Sequence, residues 1–314
     1  MTTIFTQRGA KLLRTAINEP DSWISIVAPD ETELATLTRD YGIDPEELAD
    51  ILDLNERSRV EIRDEGSLTI VRVPFDDGVS EVRFQTAPVG IFLTPQTIIT
   101  VSAVDVPVIQ SITENKVRGF TLKDRSLFVP KFLHATALGY LRYLKEINAK
   151  SSQIEEDLRG SVHNTELIAL LHLEKSLVHF TTSLRSNGLL FDRLQRLSPQ
   201  MEVDMDELEE AQTEHRQAIE TANIHSNILS GMMDAFASVI SNNVNTVMRR
   251  LTGISIVLMI PTLVASLYGM NVPLPFQGSA WALPGILGVS GVLAAIVAVF
   301  LVDRRRRPRR RAAA

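Results

Sequence analysis

Asn245–Asn271 reads NTVMRRLTGISIVLMIPTLVASLYGMN, and the architecture of the chain follows from it. From Leu251 to Tyr268 there are eighteen residues without a charge, long enough for a membrane-spanning helix. A second uncharged run, Trp281–Val302, is twenty-two residues long and ends against Asp303 and an arginine block. Only twelve uncharged residues, Gly269–Ala280, separate the two. The pattern predicts a helical hairpin in a bilayer with a short connection.

The first span is not built as a plain lipid anchor. Steps of three or four residues from Asn245 meet Met248, Leu251 or Thr252, Ser255, Met259, Thr262, Ser266 and Gly269. Between them stand Ile254, Ile256, Val257, Leu258, Leu263, Val264 and Leu267. One face is small, hydroxylated or thioether and the other is branched aliphatic, so one meets protein or water and the other lipid. Packing of small residues against another helix would account for such a face. An asparagine at its start and Gly-Met-Asn at its end favour an aqueous path.

Composition narrows the classes further. The chain has 314 residues, room for one sizeable soluble domain beside the hairpin. It has no cysteine, which excludes disulfides and thiolate metal sites. Its first twenty residues hold no apolar core of secretory-signal length, so the soluble part is expected in the cytoplasm. The chain carries 32 Lys and Arg against 38 Asp and Glu; without the seven arginines of Arg304–Arg307 and Arg309–Arg311, residues 1–303 hold 25 basic against 38 acidic. The body is acidic and the tail basic. An arginine tail directly after a span follows the positive-inside rule rather than marking nucleic-acid binding, and Arg249 and Arg250 repeat the signal before the first span. Both termini are then expected in the cytoplasm, with a multi-pass placement in the cell membrane.

Residues 1–120 read as a cytoplasmic mixed α/β domain. Trp23–Ala28 is a strand; Asp30 with Glu33 forms a capping-box pattern, and Asp44-Pro45-x-Glu47 opens a second helix. Arg59–Arg63 and Leu68–Val73 flank a turn at Asp64-Glu65-Gly66, and strands are expected at Val82–Thr86, Val89–Leu93 and Ile98–Val101. Residues 121–200 read as a cytoplasmic helical hairpin with breaks near Gly160 and Asn187-Gly188. Residues 201–268 read as one stalk helix, about 100 Å long at 1.5 Å per residue. It would enter the first span at about residues 250–268. An external loop (269–280), the second span (281–302) and a basic cytoplasmic tail (303–314) complete the chain. No phosphate loop, nucleophile elbow or metal-spaced histidine cluster appears, so nothing supports an enzyme or a tightly bound cofactor. Glu202–Glu220 holds eight carboxylates against one arginine, a solvated helix face or a device that concentrates cations.

Tyr268-Gly269-Met270-Asn271 resembles the YGMN signature of the CorA family of magnesium and cobalt transporters. The segment GIDPEELADILDLNERSRVE (Gly42–Glu61) is similar to that family's G-I-H-P-x-x-x-E-D-I-L-N stretch. The resemblance implies an α+β cytoplasmic domain, long helices and a C-terminal two-helix transmembrane hairpin, assembled as a homopentameric funnel. Five first spans would line the pore, and Asn271, with Gly269 and Met270, would ring its outer mouth.

Mg²⁺ holds its water strongly, so a conducting site should offer neutral oxygens to the hydrated ion. A ring of Asn271 amides suits this, with Gly269 supplying the backbone turn. Asn245, Thr252, Gly253, Ser255, Thr262 and Ser266 would extend a wettable path, and Met248, Leu251 and Met259 would form apolar constrictions. Neither span contains a carboxylate, so no proton relay is visible and flow down the membrane potential is expected. The resemblance further implies a regulatory divalent ion between Asp50 and Glu210 of neighbouring subunits, so that Mg²⁺ is both substrate and regulatory ligand. Ala49 stands where the family often has glutamate, so the site is expected to be weak and shared with water, Glu209 or Asp53. The stretch Val272-Pro273-Leu274-Pro275-Phe276 lacks the acid that family loops often carry, leaving Co²⁺, Ni²⁺ and Zn²⁺ open as cargo. The other readings are a transporter of zinc or another divalent metal, and a membrane-anchored sensor or adaptor.

Overall fold

The structure is a computed structural model that describes all residues except 10, 17–18, 65, 115, 118, 161–163, 202, 271–280 and 307–314. The chain divides into two compact units, Met1–Met233 and Asp234–Ala314.

The first unit is built on a seven-stranded sheet in the order β2-β1-β3-β7-β6-β5-β4. Its strands are β1 (Thr2–Arg8), β2 (Lys11–Thr15), β3 (Ser22–Val27), β4 (Arg59–Arg63), β5 (Gly66–Asp76), β6 (Phe84–Leu93) and β7 (Thr97–Ser102). Only the β3–β7 pair is parallel. Alternation along the strands gives the sheet two apolar faces. Ile24, Ile26, Ile70, Ile99 and Val101 meet α1 (Glu31–Tyr41) and α2 (Pro45–Leu52) on one side. Trp23, Val71, Val73 and Ile98 meet Phe128, Phe132 and Phe191 of the long helices on the other. Trp23 is fully buried and donates its indole N–H to Thr100 Oγ1 at 2.9 Å.

The expected capping boxes both form: Asp30 and Asp44 accept from their first helical turns while Glu33 and Glu47 reach back to the cap backbones. The turn between β4 and β5 depends on Gly66, whose φ is 116°; a Cβ there would lie 1.8 Å from the Leu93 carbonyl oxygen. On β6, Gly90 lets α2 close onto the sheet, for its Cβ would fall 2.3 Å from Ile51 Cδ1.

Two expectations need correction. The separate strands at 82–86 and 89–93 are one strand, β6, that runs through Pro88. Pro88 faces Arg72 on β5, whose N–H and C=O both turn away from it, and β7 pairs β6 only from Val89 onward. The missing N–H therefore falls where no ladder bond is made. Second, α5 (Asn164–Met201) passes without a break through Asn187-Gly188, because the Asn187 amide is tied to the sheet and not to its own helix. The hairpin of β1 and β2 adds a pair of strands to the residues read as mixed α/β.

The remaining helices are α3 (Pro107–Thr113), α4 (Phe128–Gly160), α6 (Met205–Tyr268) and α7 (Ala282–Arg306). Asp204 caps α6 by accepting from Glu207 N–H at 2.9 Å, which places the start four residues later than the expected one. Among the described residues, two helices, α6 and α7, are long and apolar enough to cross a membrane. None of the apolar window of α6 is buried, unlike the core helix of a soluble protein.

Candidate ion pathway and cation cluster

In the second unit, the apolar part of α6 has distinguishable faces. Gly253, Val257, Ile260, Pro261 and Val264 are partly covered, a helical repeat that also carries the contact with α7. The matching face of α7 carries Ile286, Ser290, Ala294, Val297, Ala298 and Leu301. Asn245, Met248, Leu251, Thr252, Ser255, Met259, Thr262 and Ser266 are all exposed and lie off the α7-facing side. Gly253 is not on their path: a Cβ there would sit 3.9 Å from Leu301 Cδ1, so this residue faces α7. Its step from Ser255 is two residues, about 200° around a helix, which is why the two belong to different faces.

Three hydroxyls of this stripe share one arrangement. Thr252 donates to Met248 C=O at 2.9 Å, Ser255 to Leu251 C=O at 3.0 Å and Thr262 to Leu258 C=O at 3.0 Å. Each hydroxyl has one proton, and each spends it on its own helix. What remains to face outward is a lone pair. The stripe thus presents neutral oxygen acceptors, a chemistry suited to cations and to the hydrogens of their water. Met248, Leu251 and Met259 stand between them, more than half exposed.

At the end of α6, Gly269 N–H still donates to Ala265 C=O at 2.9 Å. Gly269 lies in the turn that follows α6, with its φ outside the left-handed region. Met270 is exposed; Asn271 and the loop 271–280 lie outside the described residues.

The first unit holds a cation cluster that sequence reading did not assemble. His134 of α4 and Glu207 and Glu210 of α6 place ligand atoms within 4.8 Å of one another. Glu207 Oε2 accepts from Lys131 Nζ at 2.6 Å, and His134 Nδ1 lies 3.5 Å from Glu207 Oε1. That Oε1 is buried without a hydrogen-bond partner. A buried carboxylate oxygen in this condition favours a cationic neighbour. One imidazole nitrogen and two carboxylates suit a divalent ion that keeps some water, and the imidazole tilts the set towards Co²⁺, Ni²⁺ or Zn²⁺. In the sequence, only the i, i+3 spacing of Glu207 and Glu210 hints at the cluster; His134 is more than seventy residues away.

Asp50 is held differently. Its Oδ2 accepts from Arg59 Nη2 at 2.8 Å, and Arg59 also reaches Glu56 and Glu61. Asp53 Oδ1 accepts from Asn55 N–H at 2.9 Å. Glu210, by contrast, has His134 and Glu207 beside it and lines a cavity of about 470 Å³ with Lys131 and Arg142.

Deeper along the same helix, His215 is buried and its Nε2–H donates to Leu184 C=O at 2.9 Å. Burial lowers its pKa to about 4, so it is a neutral tether between α5 and α6.

Two unburied helices long and apolar enough to cross a bilayer, beside a separate sheet-based unit, put the chain in the class of α-helical membrane-protein candidates. The pattern of the family described as "CorA-like Mg2+ transporter protein" matches residues 21–309, and the chain belongs to that family. It is 27% identical over 294 residues to the cobalt/magnesium transport protein CorA of Thermotoga maritima, covering 90% of this chain and 83% of the relative. With the cobalt/magnesium transport protein CorA of Methanocaldococcus jannaschii it shares 24% identity over 292 residues, 90% of each chain. The complete structure of the M. jannaschii CorA magnesium transporter has the same fold, with a TM-score of 0.77, 21% identity and 98% of each chain covered.

Proposed function

We propose that the chain carries hydrated Mg²⁺ and Co²⁺, and also Ni²⁺, into the cell down the membrane potential. The observation that carries this reading is the stripe of α6, where Thr252, Ser255 and Thr262 each turn a neutral oxygen lone pair outward from an unburied span. Family membership and the two apolar helices support the membrane setting. Five copies around one axis would bring five stripes together, with Met248, Leu251 and Met259 as constrictions and Asn271 amides at the outer mouth. Both termini would then lie in the cytoplasm. A divalent cation gains about 4.6 kcal/mol per 100 mV, so no coupled proton is needed.

Regulation would come from divalent ions bound in the soluble unit. Glu210, which lies beside His134 and Glu207, would supply one carboxylate, and Asp50 of a neighbouring subunit would have to exchange its Arg59 partner for the ion. Losing the ion would loosen the ring and shift the population towards open. The imidazole supports a second reading, in which a softer divalent metal such as Zn²⁺ is the principal cargo.

The test is flux of Mg²⁺, Co²⁺, Ni²⁺ and Zn²⁺ into liposomes carrying the purified full chain. Mg²⁺ and Co²⁺ uptake lost in Asn271→Ala, with assembly retained, is the expected result. Full uptake by that variant would remove the amide ring, and absence of any flux in the wild type would favour a non-transporting sensor.

A further inference from the structure

We infer that the groove between α6 and α7 binds an anionic glycerophospholipid, with one acyl chain in the groove and the phosphate on Arg250. The groove is about 490 Å³ and is walled by Gly253, Val257, Leu258, Ala298 and Leu301, with Arg250 as the one charged lining residue among the described residues. It exists because two of the wall residues are small. Gly253 presents no side chain to Leu301, and Ala298 leaves the opposite wall low.

Charge selects the occupant. Arg250 and Leu301 line the same groove, so the start of the first span and the end of the second lie at one end of the pair. Arg249 and Arg250 stand there, and in the sequence Leu301 is followed within five residues by Asp303 and then Arg304–Arg306. An apolar trough that ends in a guanidinium matches a lipid whose tail is apolar and whose headgroup carries net negative charge. Guanidinium recognises phosphate with two parallel hydrogen bonds, which adds geometry to the attraction. A zwitterionic headgroup brings a cation to a cationic surface and is disfavoured. A free phosphate would leave the apolar trough unfilled.

The experiment reconstitutes the full chain in phosphatidylcholine vesicles containing a minor fraction of phosphatidylglycerol. The protein is then re-extracted in mild detergent, and the retained lipids are quantified by mass spectrometry. Phosphatidylglycerol should be enriched over its vesicle fraction on the order of tenfold, the worth of one charge-assisted contact. Arg250→Gln should remove the enrichment. Gly253→Leu should remove it too, although every arginine remains, because the tail has no room; Ala298→Leu fills the trough from the other wall and guards against a folding defect in the first variant. Unchanged enrichment in both filling variants would reduce the effect to surface charge and overturn the site. No enrichment in the wild type would overturn it as well. So would efficient disulfide cross-linking between two copies through Val257→Cys, which would mean that a second chain fills the groove.

Discussion

Asn187 of α5 takes the place of a β-strand beside Arg72 of β5. Its Oδ1 accepts from Arg72 N–H at 3.0 Å and its Nδ2 donates to Arg72 C=O at 2.8 Å. The last β4–β5 pair is Arg59 with Ile70, so Arg72 lies where β4 has ended. Ser58, just before β4, turns to the same helix: its N–H donates to Ser186 Oγ at 2.9 Å and its hydroxyl to Asn187 Oδ1 at 2.6 Å. Tyr140 of α4 adds a bond to Arg72 C=O at 3.0 Å. The Asn187 carboxamide, with Ser186 and Tyr140, thus joins α5 and α4 to the sheet.

Replacing Asn187 with leucine should lower stability by about 1–3 kcal/mol, because the Arg72 backbone groups are left buried with fewer partners. Asn187→Asp should also destabilise, since a carboxylate cannot donate to Arg72 C=O. Thermal unfolding of the full chain in detergent, followed by circular dichroism, reads the effect. Unchanged midpoints in both variants would show that water replaces the amide.

His215 makes stability depend on pH. Its folded pKa is about 4, depressed by burial from 6.5, so between these values the unfolded chain binds more protons at this residue. Stability is fully present above pH 6.5 and is lost as pH falls towards 4, by roughly 3 kcal/mol from this residue. His215→Gln should flatten the fall in unfolding midpoint between pH 6.5 and 4 relative to the wild type. Parallel curves for the two proteins would assign the acid sensitivity to other groups.

On α6, polarity at the constrictions should ease wetting. Leu251→Asn on the stripe is expected to raise ion leak several-fold, while Val257→Asn on the α7-facing side should not. Fluorescent-dye influx into liposomes distinguishes them. Equal leak from both positions would show that the stripe does not face the path.

The cation cluster should separate ions by ligand type. His134→Ala is expected to weaken protection from protease by Co²⁺ about tenfold while changing that by Mg²⁺ little, since nitrogen binds the softer ion preferentially. Glu210→Gln should weaken both. Identical Co²⁺ and Mg²⁺ titrations for wild type and His134→Ala would take the imidazole out of the site.

Much of the architecture was legible in the chain because its signals are local. Charge-free length marked the two spans, and residues three apart marked the capping boxes at Asp30 and Asp44. The stripe from Asn245 to Ser266 was likewise readable from helical spacing, since α-helical geometry assigns faces from sequence alone. Family resemblance rested on the same kind of short signal at Tyr268–Asn271. Tertiary structure decided what lies across long separations. It set Asn187 against Arg72, 115 residues away, and so carried α5 through a stretch that reads as a break. It placed His134 and Lys131 around Glu207 and turned Gly253 towards Leu301. The reason is physical: periodicity and capping act within a turn or two of the backbone, whereas these contacts depend on which strands and helices become neighbours when the chain folds.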